Sequence, residues 1–286
     1  MTWSRPAAVA GSFYPADTEE LRRLVEDLLV EAAEGSPVLG KGESGSHPQS
    51  PSQSAGVSGA PTWPKAFILP HAGYVYSGPV AASGYARLRP FGDRIRKVVL
   101  LGPAHRYPVR GLATSTAGAF ETPLGSVPLD QAGLQDVLDL PQVQALDEAH
   151  EGEHSLEVHL PFLQVLLGSF QLLPFAVGDA TPEEVAEVLA LLWGEDETVI
   201  IVSSDLSHFL SYAEATELDQ VTARTILELR SHGLEYEQAC GRLPVAGLMI
   251  RAREEGLIPE CVDLRNSGDT AGPRHQVVGY GSFVFS

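Results

Sequence analysis

Three short apolar runs each pass, through a proline, glycine or serine, straight into a titratable residue, and this pattern limits the chain's folds more than any other. Phe67-Ile-Leu-Pro70 leads to His71, Val98-Val-Leu-Leu-Gly-Pro-Ala104 leads to His105, and Val199-Ile-Ile-Val-Ser-Ser204 leads to Asp205. Runs of this length and apolarity suit strands buried on both faces. In open parallel sheets, loops at the carboxyl ends of the strands bring polar groups together over an apolar floor. Pro70, Gly73, Gly102 and Pro103 flank the titratable residues, as sharp turns and close ligand approach require. The pattern predicts one polar, metal-capable cleft that gathers His71, His105, Asp205, His208 and Cys240. Singly, each residue has a plainer reading: a hydrogen-bonded loop histidine, a helix-capping Asp205, a small buried Cys240.

The rest of the chain alternates strand-like and helical patterns. Strands are predicted at Ala66–Leu69, Lys97–Leu101, Gln171–Val177, Val199–Val202 and Val277–Phe285. Helices are predicted at Pro79–Leu88, Leu156–Leu167, Pro182–Trp193, Ala213–Leu229 and Val245–Arg253. Near the start, Asp17-x-x-Glu20 has the form of a capping box before Leu21, Leu24, Val25, Leu28 and Leu29, which share one helix face. Thr181-Pro182-Glu183-Glu184 is a second helix start. The alternation predicts an α/β fold of one domain over residues 1–286, a mainly parallel central sheet with helices on both faces.

Between Gly35 and Pro64, 18 of 30 residues are Gly, Ser or Pro. That stretch has little apolar surface to offset its ordering entropy. It reads as a flexible insertion at 35–64, because the residues before it are too few for a separate domain. His47, inside it, reads as solvent-exposed and inert.

Acidic residues outnumber basic ones 37 to 19, for a formal net charge of −18. Such a charge repels phosphate backbones and anionic lipid surfaces, and the densest basic stretch, Arg87 to Lys97, holds only five basic residues. Neither nucleic acid nor a membrane is therefore expected as a partner. Two cysteines make no disulfide framework, and Met-Thr-Trp-Ser-Arg-Pro lacks the apolar core of a signal peptide. A cytoplasmic location is expected.

Glu153-His154-Ser-Leu-Glu157-Val-His159 is the densest titratable segment, and His154 and Glu157 share a face if it is helical. That face either lines the cleft or caps the helix start. His150-Glu151-Gly-Glu-His154 matches the zinc-protease spacing H-E-x-x-H. The motif needs a stable helix, and here a glycine interrupts it and no apolar period supports it. The protease reading is set aside.

Taken together, Ala-Gly-Ser-Phe13-Tyr14, Pro-His71-Ala-Gly-Tyr-x-Tyr-Ser-Gly, Leu-Gly-Pro-Ala-His105, Glu-His154-Ser-Leu-Glu157-Val-His159-Leu-Pro, Val-Ser-Ser-Asp205-Leu-Ser-His208 and Ala-Cys240-Gly-Arg-x-Pro span nearly the whole chain outside the insertion. In that order they resemble the Memo family, whose bacterial members are known as system protein B of the AmmeMemoRadiSam set. The resemblance implies a fold like that of the class III extradiol dioxygenases. By position it implies His71, His105 and Cys240 as metal ligands, the sulfur standing where the dioxygenases have a carboxylate. It implies His208 as an acid/base with Asp205 beside it, and Phe13, Tyr14, His154, Glu157 and His159 as residues that contact substrate or support the ligands. Phe13 departs from eukaryotic relatives, which carry a tryptophan there. The implied cofactor is a divalent metal, iron or copper, with zinc as a further option. A functional link to AMMECR-type and radical-SAM proteins is also implied.

Two principal functions follow. One is a non-haem, metal-dependent oxidoreductase of dioxygenase-like type acting on an unknown small molecule, with metal affinity weakening as pH falls. The alternative is a non-catalytic module that binds a ligand or peptide in the same cleft. A metal-free thiol site, with Cys240 as nucleophile beside a histidine, stands behind both.

Overall fold

The structure is a computed structural model that describes residues 3–34 and 62–286. Most of the Gly/Ser/Pro-rich insertion, residues 35–61 with His47, lies outside the described residues. In chain order the elements are β1 (Ser4–Arg5), α1 (Thr18–Glu34), β2 (Ala66–Leu69), α2 (Tyr74–Leu88), β3 (Lys97–Pro103), β4 (Leu112–Thr114), β5 (Ala119–Thr122) and β6 (Gly125–Pro128). They continue as α3 (Gln131–Val137), β7 (Val143–Ala145), α4 (Glu148–Glu151), α5 (Leu160–Leu166), β8 (Gln171–Val177), α6 (Pro182–Leu192), β9 (Thr198–Ser203) and β10 (His208–Leu210). The chain closes with α7 (Tyr212–Leu227), α8 (Arg242–Glu254), β11 (Pro259–Asn266) and β12 (Val277–Phe285).

The main sheet runs in the order β10-β12-β2-β9-β3-β8-β4-β7, with β11 also on β12. Its centre is parallel: β2 pairs β9, β9 pairs β3, and β3 pairs β8. Antiparallel pairs join this centre to β12 on one side and β4 on the other. Every residue of β2 and β9 is buried, which explains their unbroken apolar sequence. Each fully buried leucine, isoleucine or phenylalanine there contributes about 1.5–3 kcal/mol. One apolar core runs from Val9 to Phe285 through the sheet and the helices packed on it. The architecture is mixed α/β, as the alternation predicts.

Helix starts behave as their sequences require. The Asp17 carboxylate accepts the N–H groups of Glu19 and Glu20, and Thr181 forms a reciprocal capping box with Glu184. Two helix starts differ most from expectation. Helix α2 begins at Tyr74, five residues before Pro79, because proline deletes one internal hydrogen bond while the Tyr74 N–H is held by Phe13 O at 2.8 Å. The predicted helix 156–167 is shorter: a 3₁₀ turn over Glu157–His159 precedes α5, with Pro161 in its first turn. No helix of the described residues is long and apolar enough to cross a membrane.

Candidate metal centre and cavity

Strands β2, β9 and β3 are parallel neighbours, so their carboxyl ends place His71, Asp205 and His105 side by side. The segment after α4 completes the group. Ring nitrogens of His71, His105 and His154 all lie within 4.8 Å of one another, a spacing that lets them share one ion. The His105 and His154 rings stack with centroids 4.9 Å apart, and His71 meets both edge-on. Phe13 packs against the His154 ring at 4.8 Å.

Hydrogen bonding fixes which nitrogen of two of these rings is free. The Ser203 hydroxyl donates to Ser155 O at 2.6 Å, so it can only accept from His71 Nδ1, also 2.6 Å away. His71 therefore carries its proton on Nδ1 and offers the Nε2 lone pair. His105 Nδ1 lies 2.9 Å from Glu153 Oε1, a carboxylate acceptor, which leaves the His105 Nε2 lone pair free. Burial, then the neighbouring His105 and His154, push the His71 pKa well below its ordinary value, and His154 is lowered by burial too. Neutral rings with bare lone pairs are what a metal requires. The buried His154 Nδ1 has no hydrogen-bond partner among the described residues.

Glu153 organises the group although the sequence reading gave it no role. It accepts from the His105 N–H at 2.5 Å and from the His154 and Ser155 N–H groups at 2.9 Å each. Burial alone would raise its carboxyl. Hydrogen bonds and charge from His105, with the backbone donors, outweigh that and hold it well below the usual carboxylate range. At Gly102 the strand passes so close that an added Cβ would stand 2.8 Å from Ser155 Oγ, so the site needs glycine there.

The third expected ligand, Cys240, stands beside this group: its Sγ lies 3.4 Å from His71 Nε2, while His154 is the third of the mutually close donors. Cys240 precedes α8 on the cavity side, and the His154 ring stacks on His105. Burial, with the Asp205 charge, pushes the Cys240 thiol up to about 12.

Asp205 is buried, and its Oδ1 accepts the His71 N–H at 2.8 Å while Oδ2 stands 3.9 Å from His71 Nε2. Burial raises its pKa, partly opposed by that N–H and by the nearby histidines. No hydrogen bond joins Asp205 to His208 among the described residues; the bond Asp205 makes is to the His71 main chain. His208 instead lines a cavity of about 730 Å³ together with His105, Cys240 and Arg242. Phe209, at its rim, is 69% exposed with φ 60°, an uncommon backbone conformation for a bulky residue and one typical of functional loops.

Three other expected site residues stand outside the cavity lining. The Glu157 carboxylate is 1% exposed and pairs with Arg5, accepting also from Ala8 N, Val9 N and the Tyr14 hydroxyl. Tyr14 and Glu157 therefore hold the chain's first strand to the 153–159 segment, away from the cavity lining. His159 is buried beneath, its Nδ1 2.9 Å from the Tyr85 hydroxyl, and burial lowers its pKa to about 3. His150 binds Ala113 O through Nε2, and α4 stops at Glu151, so the H-E-x-x-H spacing builds no metal site.

Comparison with known proteins agrees with this layout. Residues 5–284 match the family model described as "Memo-like protein". The "MEMO1 family protein" of Ignicoccus hospitalis is 37% identical, with 98% of each chain covered. Those of Aquifex aeolicus and Thermotoga petrophila are 34% and 32% identical, over 98% of this chain and 98% and 99% of theirs. Among solved structures, the uncharacterized protein JW3007 of Escherichia coli K12 shares the fold, with TM-score 0.52 and 13% identity over 77% of this chain and 99% of its own. With nearly the whole sequence matched and relatives aligned end to end, the chain belongs to the Memo-like family.

Proposed function

We propose that the chain is a metal-dependent enzyme in which His71, His105 and His154 hold one divalent ion beside a cavity sized for a small organic molecule. Within that class we favour a non-haem oxidoreductase using iron or copper, with zinc as the alternative ion. The observation that carries this reading is the convergence of three ring nitrogens within 4.8 Å, two of them with their protons locked on the far side of the ring. Three imidazoles with open positions suit zinc, copper and iron alike. An ion there would supply Lewis acidity and, if iron or copper, one-electron chemistry. The parallel strand ends that present the histidines also agree with an extradiol-dioxygenase-like fold.

The remaining steps belong to side chains. Ser203 and Glu153 keep the His71 and His105 protons on Nδ1. Phe13 holds the His154 ring in place. Asp205 Oδ2, with no hydrogen-bond donor among the described residues, is placed to accept a proton near His71. His208, on the cavity wall, is placed to pass a proton to or from a bound molecule at a ring nitrogen.

The test is metal content of untagged protein prepared without chelators, for wild type, His71→Ala and His154→Ala. Near-stoichiometric metal in wild type, lost in both variants, is the expected result. Wild type that stays metal-free after anaerobic incubation with iron, copper and zinc would sink the enzyme reading and leave a binding module in the same cleft.

A further inference from the structure

The cavity contains a cation that the fold itself does not use. Arg242 lines it, and its guanidinium has no hydrogen bond and no ion pair among the described residues. Arg5, Arg94 and Arg265, by contrast, are paired with Glu157, Asp196 and Asp263. In a chain with 37 acidic residues against 19 basic ones, an arginine at a cavity wall with no protein partner leaves its charge free for a ligand.

Local stability does not account for it either. Arg242 is the first residue of α8, and Gly241 before it provides no capping side chain. The partial positive charge of a helix N-terminus disfavours a cation at that position. A residue that conflicts with its own helix yet faces a cavity is the kind of inconsistency that marks a functional site. Val177, Leu210, Leu243 and Pro244 give the same cavity apolar walls, and His105 connects it to the metal group.

We propose that the cavity takes a small organic carboxylate, its anionic end on the Arg242 guanidinium and its apolar body along Leu210 and Leu243, with the opposite end at His105. A planar guanidinium matches a carboxylate with two parallel N–H···O bonds. Glu237 also lines the cavity, and a carboxylate there penalises a dianionic phosphate more than a monoanion. The volume of about 730 Å³ accommodates a ligand of metabolite size. The placement of the ligand's reacting end rests on the metal reading above; the Arg242 contact does not.

The experiment is calorimetric titration of the full chain, metal-loaded and metal-free, with phenylacetate, phenylacetamide and phenyl phosphate, and metal content measured on every sample. Wild type is expected to bind phenylacetate at least about tenfold more tightly than the neutral amide, a factor that corresponds to about 1.4 kcal/mol. Arg242→Gln is expected to lose that preference and keep its metal, while Arg242→Lys recovers part of it. Equal binding of acid and amide, undiminished binding by Arg242→Gln, tighter binding of phenyl phosphate, or no binding of phenylacetate overturns the proposal. The acid-against-amide comparison in wild type stands even if a variant fails to fold. Arg242-dependent binding by a protein that takes up no metal would sink the metal reading alone.

Discussion

Glu153 and Glu157 stand four residues apart in the same segment, both 1% exposed, and each accepts four hydrogen bonds. Their donors make the difference. Those of Glu157 come from residues 5–14, and Arg5 spends its remaining nitrogens on His150 O and Glu153 O. Each guanidinium nitrogen and each carboxylate oxygen of that network already has a partner in the chain, so it holds two parts of the chain together. The Glu153 donors include a His105 ring whose second nitrogen is left bare and turned towards His71 and His154. Burial and charge are alike in the two networks. An unspent lone pair is what separates a site from a clamp.

The largest effect should fall on the clamp. Glu157→Ala leaves the Arg5 guanidinium buried without a counter-charge, a loss of about 3–5 kcal/mol. Thermal or urea denaturation of the apo protein reads it directly. A loss below about 1 kcal/mol would mean that the first strand is held by other contacts and that the two carboxylates differ less than their donors suggest.

Asp219 extends the contrast, because its side chain accepts one backbone N–H, from Ser207 at 3.0 Å, where Glu153 accepts three from the backbone. Burial pushes it up to about 6, against 3.8 in the unfolded chain, with Ser207 only partly opposing. The folded state thus keeps a proton that the unfolded state releases between those values. The associated stability is complete below about pH 4 and lost as pH rises through about 6, on the order of 2–3 kcal/mol. Denaturation of wild type and Asp219→Asn from pH 4 to 7.5 should show the gap between them shift by that amount in favour of the asparagine variant. A gap that does not change with pH would show that Asp219 keeps its ordinary titration and that donor number does not govern these carboxylates.

How far the sequence foretold these networks depends on distance along the chain. His71, His105 and Asp205 were legible because each follows an apolar strand directly, and parallel pairing of β2, β9 and β3 aligns their ends. Thr181 was legible because its capping box closes within four residues. Glu153 was not: its decisive partner, His105, is 48 residues away, and a glutamate beside a histidine looks the same whether or not they meet. Arg5 was missed for the same reason, at 152 residues from Glu157. The motifs of Tyr14 and Glu157 display chemistry-capable groups, and only the packing of residues 5–14 shows that these two groups bond each other. Strands of three or four residues, such as β4 and β7, bury too short a pattern to register as a period of two.

At the site itself, Glu153→Gln should keep the histidines present but loosen them. An amide cannot accept from all four donors as the carboxylate does: with its oxygen at the Oε1 position, its NH2 faces the His105 main-chain N–H. Loss of such a supporting carboxylate weakens metal affinity by about 10–100-fold. Competition with a chromophoric chelator measures it, and affinity equal to wild type would show that the His105 tautomer is set without Glu153.

The smallest effect is expected at Cys240, and it decides between two versions of the site. If the ion is held by His71, His105 and His154, the sulfur 3.4 Å from His71 Nε2 is a neighbour of the ion and not one of the required donors. Cys240→Ala should then lower affinity by no more than about tenfold, about 1.4 kcal/mol, while His154→Ala abolishes uptake. The reverse order, metal lost with Cys240→Ala and kept with His154→Ala, would move the third ligand to the sulfur. It would also make the cavity side of the site, where Cys240, His208 and Arg242 lie together, the place where the ion sits, and the stacked His154 ring part of the clamp.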